Sequence, residues 1–208
     1  MQESRGVHCE TAARIADVRV ELGSVGMSSA IDEHLATVAQ LRVLEPQVAK
    51  VAKRMILALR NGGKVLWMGN GGSAADSQHL AADLVGRFMR ERRGFASMAL
   101  TTDTSVLTAV ANDYSFEHVF SRQIEALCTP QDIVVAISTS GNSRNVLAGV
   151  LAARERGAFT VGLMGATGDM GDIVDICLRV PSQVTARIQE AHILIGHILC
   201  NWVETEFV

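Results

Sequence analysis

The amino-acid sequence predicts an α/β fold built on a doubly wound, five-stranded parallel sheet, and three observations carry that reading. Short apolar runs recur from Lys64 onward: KVLWM, SMALT, IVVAIS, FTVGLM and the more mixed VDICLRV. Helical or loop segments separate each run from the next, as parallel strands covered on both faces require. With 208 residues, 48 % of them hydrophobic, the chain can bury a full core in one compact domain with an additional helical arm.

Taken in order, residues 11–22 show weak helical periodicity, which GSVGMSS interrupts before a longer helical region from about Ala30 to Asn61. Residues 1–27 therefore read as an N-terminal extension and 28–208 as the folded domain with its helical arm. Within the long region Ile31, Leu35, Val38, Leu41, Leu44, Val48, Val51, Met55 and Leu59 recur at three- and four-residue steps. That spacing makes a broad apolar stripe in need of a partner. Pro46 is expected to split the region into two helices. The five strands then follow, and in such sheets ligands sit outside the carboxyl ends of the strands, near a topological switch point.

Composition narrows the function. A formal net charge of -3 argues against a basic nucleic-acid surface, and Arg87, Arg90, Arg92 and Arg93 read as mainly a solvated run. Cys9, Cys128, Cys177 and Cys200 are widely spaced, without a C-x-x-C pair, so neither a disulfide scaffold nor a structural zinc site is indicated. They read as reduced thiols. The first residues lack a secretory apolar stretch and no later run approaches membrane-spanning length, which points to a cytoplasmic protein with no membrane partner.

Two strand ends carry chemistry. The first runs into GNGGSAADSQHLAADL, where glycines let backbone amides approach an anion and a helix from about Ser73 points its free N–H groups at it. A tight turn with a serine cap would use the same residues. The loop matches neither a dinucleotide fingerprint nor a P-loop. The third strand ends in AISTSGNS, which gathers Ser138, Thr139, Ser140 and Ser143 before a helix from about Asn145. Hydroxyls and amides at a helix N-terminus make a neutral phosphate cradle. Two such loops favour a phosphorylated small molecule.

Helical residues add titratable groups. His79 and Asp83, four apart, project from one helix face, either as an ordinary surface pair or to share a metal or a substrate proton. In the last helix, ARIQEAHILIGHILCNWVETEF, Gln189, His192 and His197 interrupt an apolar sequence. Gln189 and His197 are separated by roughly 12 Å of helix rise and about 80° in direction. They converge on one site only by reaching toward each other or by coming from different subunits. His192 has no evident partner and reads as structural or surface.

The set G-N-G-G-S, Q-H-x-x-x-[acid], T-T-D-T-S, N-D-Y, I-S-T-S-G-N-S and R-I-Q-E-x-H-x-x-x-x-H resembles the sugar isomerase (SIS) domain family. Within it the chain is similar to the branch converting sedoheptulose 7-phosphate to D-glycero-D-manno-heptose 7-phosphate, from about Ser28 to Val208. The resemblance implies a flavodoxin-like sheet, a homotetramer with the N-terminal helices bundled at its centre, and active sites assembled between subunits. It implies phosphate binding by Ser138, Thr139, Ser140 and Ser143, and sugar contacts from Asn70, Gly71, Gly72, Asp83 and Gln189. Asn112 and Asp113 are implied in the site wall, and zinc is implied on His79, Asp83, Gln189 and His197. Heptose supply for lipopolysaccharide or another surface glycan is the implied pathway.

Ketose–aldose interconversion moves a proton between adjacent carbons through an enediol, and so needs a base, an acid and a stabiliser for the oxyanion. His197 and Asp83 are the available titratable pair; zinc or the Gln189 amide could polarise the oxygens. One position departs from the family pattern. The acid is usually glutamate in an A-E-[LF] context, whereas LAADL supplies Asp83, one methylene shorter. A displacement of about 1 Å can cost on the order of a hundredfold in rate. Two other readings use the same fold: a regulator that binds the replication initiator protein, and a phosphosugar sensor without turnover. The regulator of that kind lacks a histidine at the position of His197.

Overall fold

The computed structural model describes residues 26–208, in which two compact units divide between Glu33 and His34. Cys9, the weak periodicity of 11–22 and all but the last two residues of the expected extension lie outside the described residues. The arm is α1 (Met27–Gln40), a 3-10 turn over Leu41–Leu44, and α2 (Glu45–Arg60). Pro46 sits in the first turn of α2, where its missing N–H has no helical acceptor to lose.

The sheet comprises β1 (Val65–Gly69), β2 (Ser97–Ala99), β3 (Ile133–Ser138), β4 (Phe159–Met164) and β5 (Ile176–Arg179). All pairings are parallel and the order is β2-β1-β3-β4-β5. Between these strands lie α3 (Gly72–Val85), α4 (Thr104–Asp113), α5 (Ser121–Leu127), α6 (Arg144–Glu155) and the single turn α7 (Met170–Ile173); α8 (Thr185–Phe207) closes the chain. Among the described residues no helix is long and apolar enough to cross a membrane.

Side chains alternate across each strand. Val65 and Trp67 of β1 and Ile133, Val135 and Ile137 of β3 pack with α2, α3 and α8. Leu66, Met68, Val134 and Ala136 pack on the opposite face with α5 and α6. The apolar stripe of the arm has two fates. Leu44, Val48, Val51, Met55 and Leu59 enter the core, whereas Leu35 is 59 % exposed. Leu35, Val38 and Leu41 line an open groove of about 410 Å³ with Ile198 and Trp202 of α8.

The arginine run corrects one expectation. Arg87 and Arg93 face solvent, but the Arg92 side chain is only 3 % exposed and pairs with the buried Glu204 of α8 at 3.1 Å. Arg92 also donates to the carbonyls of Asp83, Leu84, Gly86 and Arg93 at the C-terminal end of α3 and just beyond it. Glu204 in turn accepts from the backbone N–H groups of Phe88, Met89 and Arg90 at 2.8–3.0 Å. Local sequence cannot show this, because the acceptor set exists only after α3 has ended against α8.

Burial alone would raise the Glu204 pKa, but the three N–H donors and Arg92 outweigh it, so the carboxyl lies below its ordinary 4.5. A depressed folded pKa gives stability that is complete above the ordinary value and is lost as pH falls through the folded one. Urea denaturation across pH should therefore show an acid limb that is shallower in Glu204→Gln than in the wild type. At neutral pH, Glu204→Ala should cost about 3–5 kcal/mol by stranding Arg92.

Candidate active site

β1 and β3 are neighbours with α3 and α6 on opposite faces, so the loops after them open side by side. In the first loop Gly71 takes φ +55°, a left-handed conformation that disfavours a side chain, and occupies the N-cap position of α3. No side chain caps that helix start. In the second, the Ser138 and Ser143 hydroxyls are 3.0 Å apart, and Ser140 lies 3.5 Å from Ser138. Ser138 also accepts from the N–H of Gly141, whose φ is +68°. Ser143 is turned back toward Ser138 and does not cap α6, which leaves that helix start without a side-chain cap.

A residue read from the sequence only as a helix start joins the two loops. Asn145 is 4 % exposed, and its carboxamide exchanges two hydrogen bonds with that of Asn70, at 2.8 and 2.9 Å. Its oxygen also accepts the Val146 N–H at 3.0 Å. The sequence signal was only an asparagine just inside a helix start, which a solvent-facing residue would share.

The second half of the site lies between α3 and α8. His79 Nε2 and His197 Nε2 are 3.2 Å apart, and each lies 3.7 Å from Asp83 Oδ2. Asp83 Oδ2 is buried without a hydrogen-bond partner, and burial pushes the carboxyl above its ordinary value against the pull of both imidazoles. One ligand atom from each of the three residues lies within 4.8 Å of the others. Two imidazole nitrogens and one carboxylate oxygen form a donor set suited to zinc. The His197 ring is also stacked on Phe88, with centroids 5.3 Å apart and planes at 28°.

The other expected residues fall around this frame. Gln189 lies over Gly72, where an added methyl would collide with its amide, while His197 meets His79 and Asp83 two turns further along α3. Within one chain the two α8 residues thus meet different points of the same helix. Asn112 and Asp113 end α4 exposed and are hydrogen-bonded to each other at 2.9 Å; among the described residues their side chains make no hydrogen bond to either loop. His192 is fully buried, and burial pushes its pKa down to about 4 while the Met164 carbonyl pulls it up. It is a neutral core residue, resolving that alternative in favour of structure. Asp76 shares the α3 face of His79 and Asp83. Burial raises it to about 6 against the pull of His79, and its Oδ2 has no partner.

Residues 31–165 match the SIS domain family. Phosphoheptose isomerase of Rhodospirillum rubrum is 56 % identical over 160 residues, covering 76 % of this chain and 85 % of that protein. That of Roseiflexus sp. is 53 % identical over 179 residues, covering 84 % and 91 %. The chain belongs to the phosphoheptose isomerases of the SIS domain family. A solved phosphoheptose isomerase from Neisseria gonorrhoeae superposes with TM-score 0.81 at 43 % identity, over 86 % of this chain and 96 % of that one.

The Asn70–Asn145 pair gives a direct test of loop coupling. Asn145→Asp keeps an acceptor for Asn70 but removes the returned donor, leaving two acceptors face to face. At neutral pH this should cost about 1–3 kcal/mol. The deficit, read by chemical denaturation, should shrink in acid as the introduced carboxyl gains a proton it can donate.

Proposed function

We propose that this protein is an aldose–ketose isomerase that interconverts sedoheptulose 7-phosphate and D-glycero-D-manno-heptose 7-phosphate in the cytoplasm, supplying heptose for a surface glycan. The observation that carries the reading is the meeting of His79, Asp83 and His197 in a chain 53 % identical to a phosphoheptose isomerase over 179 residues. The Ser138, Thr139, Ser140 and Ser143 hydroxyls and the uncapped start of α6 would hold the phosphate. Asn70, Gly71, Gly72 and Gln189 would contact the sugar, with Asn112 and Asp113 in the wall.

The reaction takes a proton from C1 of the ketose, passes through the enediol and returns a proton to C2, while the hydroxyl proton moves from O1 to O2. His197 and Asp83 would exchange these protons with the substrate. The raised pKa of Asp83 brings its acid form closer to neutral pH, where a carboxyl can serve in either direction. Zinc would be held by His79, Asp83 and His197, with Gln189 as a further candidate, and when bound it would polarise the substrate oxygens and stabilise charge developing on them. The open groove between the arm and α8 supports a homotetramer in which the helices of other copies cover Leu35, Val38 and Trp202.

The test is turnover of sedoheptulose 7-phosphate by metal-stripped protein with and without added zinc. Zinc-dependent turnover is expected; no turnover in either condition rejects the isomerase. His197→Ala should lower kcat by about 10²–10⁴-fold without unfolding the chain. Ser140→Ala should mainly raise KM, and Asp83→Glu should retain or raise kcat.

A further inference from the structure

Between α3 and β2, residues 86–96 form no helix or strand, yet this stretch carries the aromatic ring in contact with His197. Its course is set by one carboxylate. Glu204 Oε1 accepts the Phe88 N–H at 3.0 Å and Arg92 Nε at 3.1 Å, while Oε2 accepts the N–H groups of Met89 and Arg90 at 2.8 Å each. Glu204 follows His197 by seven residues, two helical turns, so both project from one stripe of α8. The helix that presents the imidazole thus also presents the group that anchors Phe88. Arg92, paired with Glu204, bonds the Asp83 carbonyl at 2.8 Å and ties the turn bearing the acid to the same anchor.

His197 needs such a restraint. Its side chain is 34 % exposed, and among the described residues its ring hydrogen-bonds only His79, which is 53 % exposed. An imidazole hydrogen-bonded only to a half-exposed imidazole, with the Asp83 carboxylate beyond hydrogen-bond reach at 3.7 Å, can turn its Nε2 away from Asp83. The Phe88 ring covers one face of His197 in a stacked arrangement, and the His79 ring meets it tilted by 57° at 5.0 Å.

We propose that Phe88, anchored through its backbone by the buried Glu204–Arg92 pair, is the positioning residue for His197: its stacked ring holds the imidazole with Nε2 toward Asp83 and His79. The proposal rests on the assignment of His197 to the reactive centre. Phe88 is half-buried and its backbone anchor survives a change of side chain, so substitutions there leave the Glu204–Arg92 pair in place.

The test compares Phe88→Leu and Phe88→Tyr in the full chain by two measurements. In steady-state kinetics with sedoheptulose 7-phosphate, Phe88→Leu should lower kcat about ten- to a hundredfold with KM changed less than about threefold, as expected when a reacting group is misoriented by about 1 Å. Phe88→Tyr, which keeps the flat ring, should restore kcat. In ¹⁵N-labelled, metal-free protein at one fixed pH, the His197 ring should give a single tautomer in the wild type and Phe88→Tyr, and an averaged one in Phe88→Leu. Unchanged His197 ring signals in Phe88→Leu overturn the proposal whatever its activity, and so does a Phe88→Tyr protein as impaired as Phe88→Leu. A wild-type protein without turnover rejects the isomerase instead, and the ring signals still decide whether Phe88 positions His197.

Discussion

The adjacency of β1 and β3 is the constraint on which the site depends. Because the chain places β2 on one side of β1 and β3 on the other, α3 and α6 leave the sheet toward opposite faces and their loops part above it. Two helix starts then face one crevice, each lacking a side-chain cap. The positive ends of the two helix dipoles favour an anion without any lysine. The reciprocal Asn70–Asn145 amides close the gap between the loops with neutral donors and acceptors, fixing the spacing without adding a charge that would compete with that field.

α8 supplies the other half and shows how polar groups survive on a largely buried helix. Burial is met differently at each position. His192 stays neutral in the core, Glu204 is compensated by three backbone N–H groups and a guanidinium, and His197 remains partly open toward α3. Only the last retains a nitrogen lone pair in a setting where a ligand can reach it. One helix thereby anchors the 86–96 segment at its end and offers an imidazole two turns earlier.

Much of this was legible because it is periodic or local. The five strands follow from short continuous apolar runs separated by helical or loop segments, and the loops at Gly69–Gly72 and Ser138–Ser143 follow from glycine and hydroxyl residues placed directly after strands. The His79–Asp83 spacing announced a shared face. What escaped depends on long-range geometry. Arg92 reads as a surface cation until Glu204, 112 residues later, is folded against it. Asn145 reads as an ordinary first-turn residue until Asn70 lies opposite. The separation of Gln189 from His197 was visible as 80° on a wheel, but that they meet different points of α3 required the packing of the two helices.

At position 83, where the resemblance leads one to expect glutamate, the chain has aspartate, and the geometry limits how it can accommodate the shorter acid. Oδ2 lies 3.7 Å from both imidazole nitrogens, beyond hydrogen-bond reach, so the shorter acid leaves space between the three groups. A shift of α3 toward the ligand would close that space, but the Arg92 guanidinium holds the carbonyls of Asp83, Leu84 and Gly86 together. Moving the turn would break several hydrogen bonds to a guanidinium that is itself paired with Glu204. In the proposed site the accommodation would fall to the half-exposed His79 imidazole and to whatever cation or substrate oxygen the three residues enclose. In the proposed isomerase, the reach lost by one methylene at Asp83 would have to be made up around a His197 ring whose face Phe88 covers, so the orientation of that ring would bear directly on the geometry of the site.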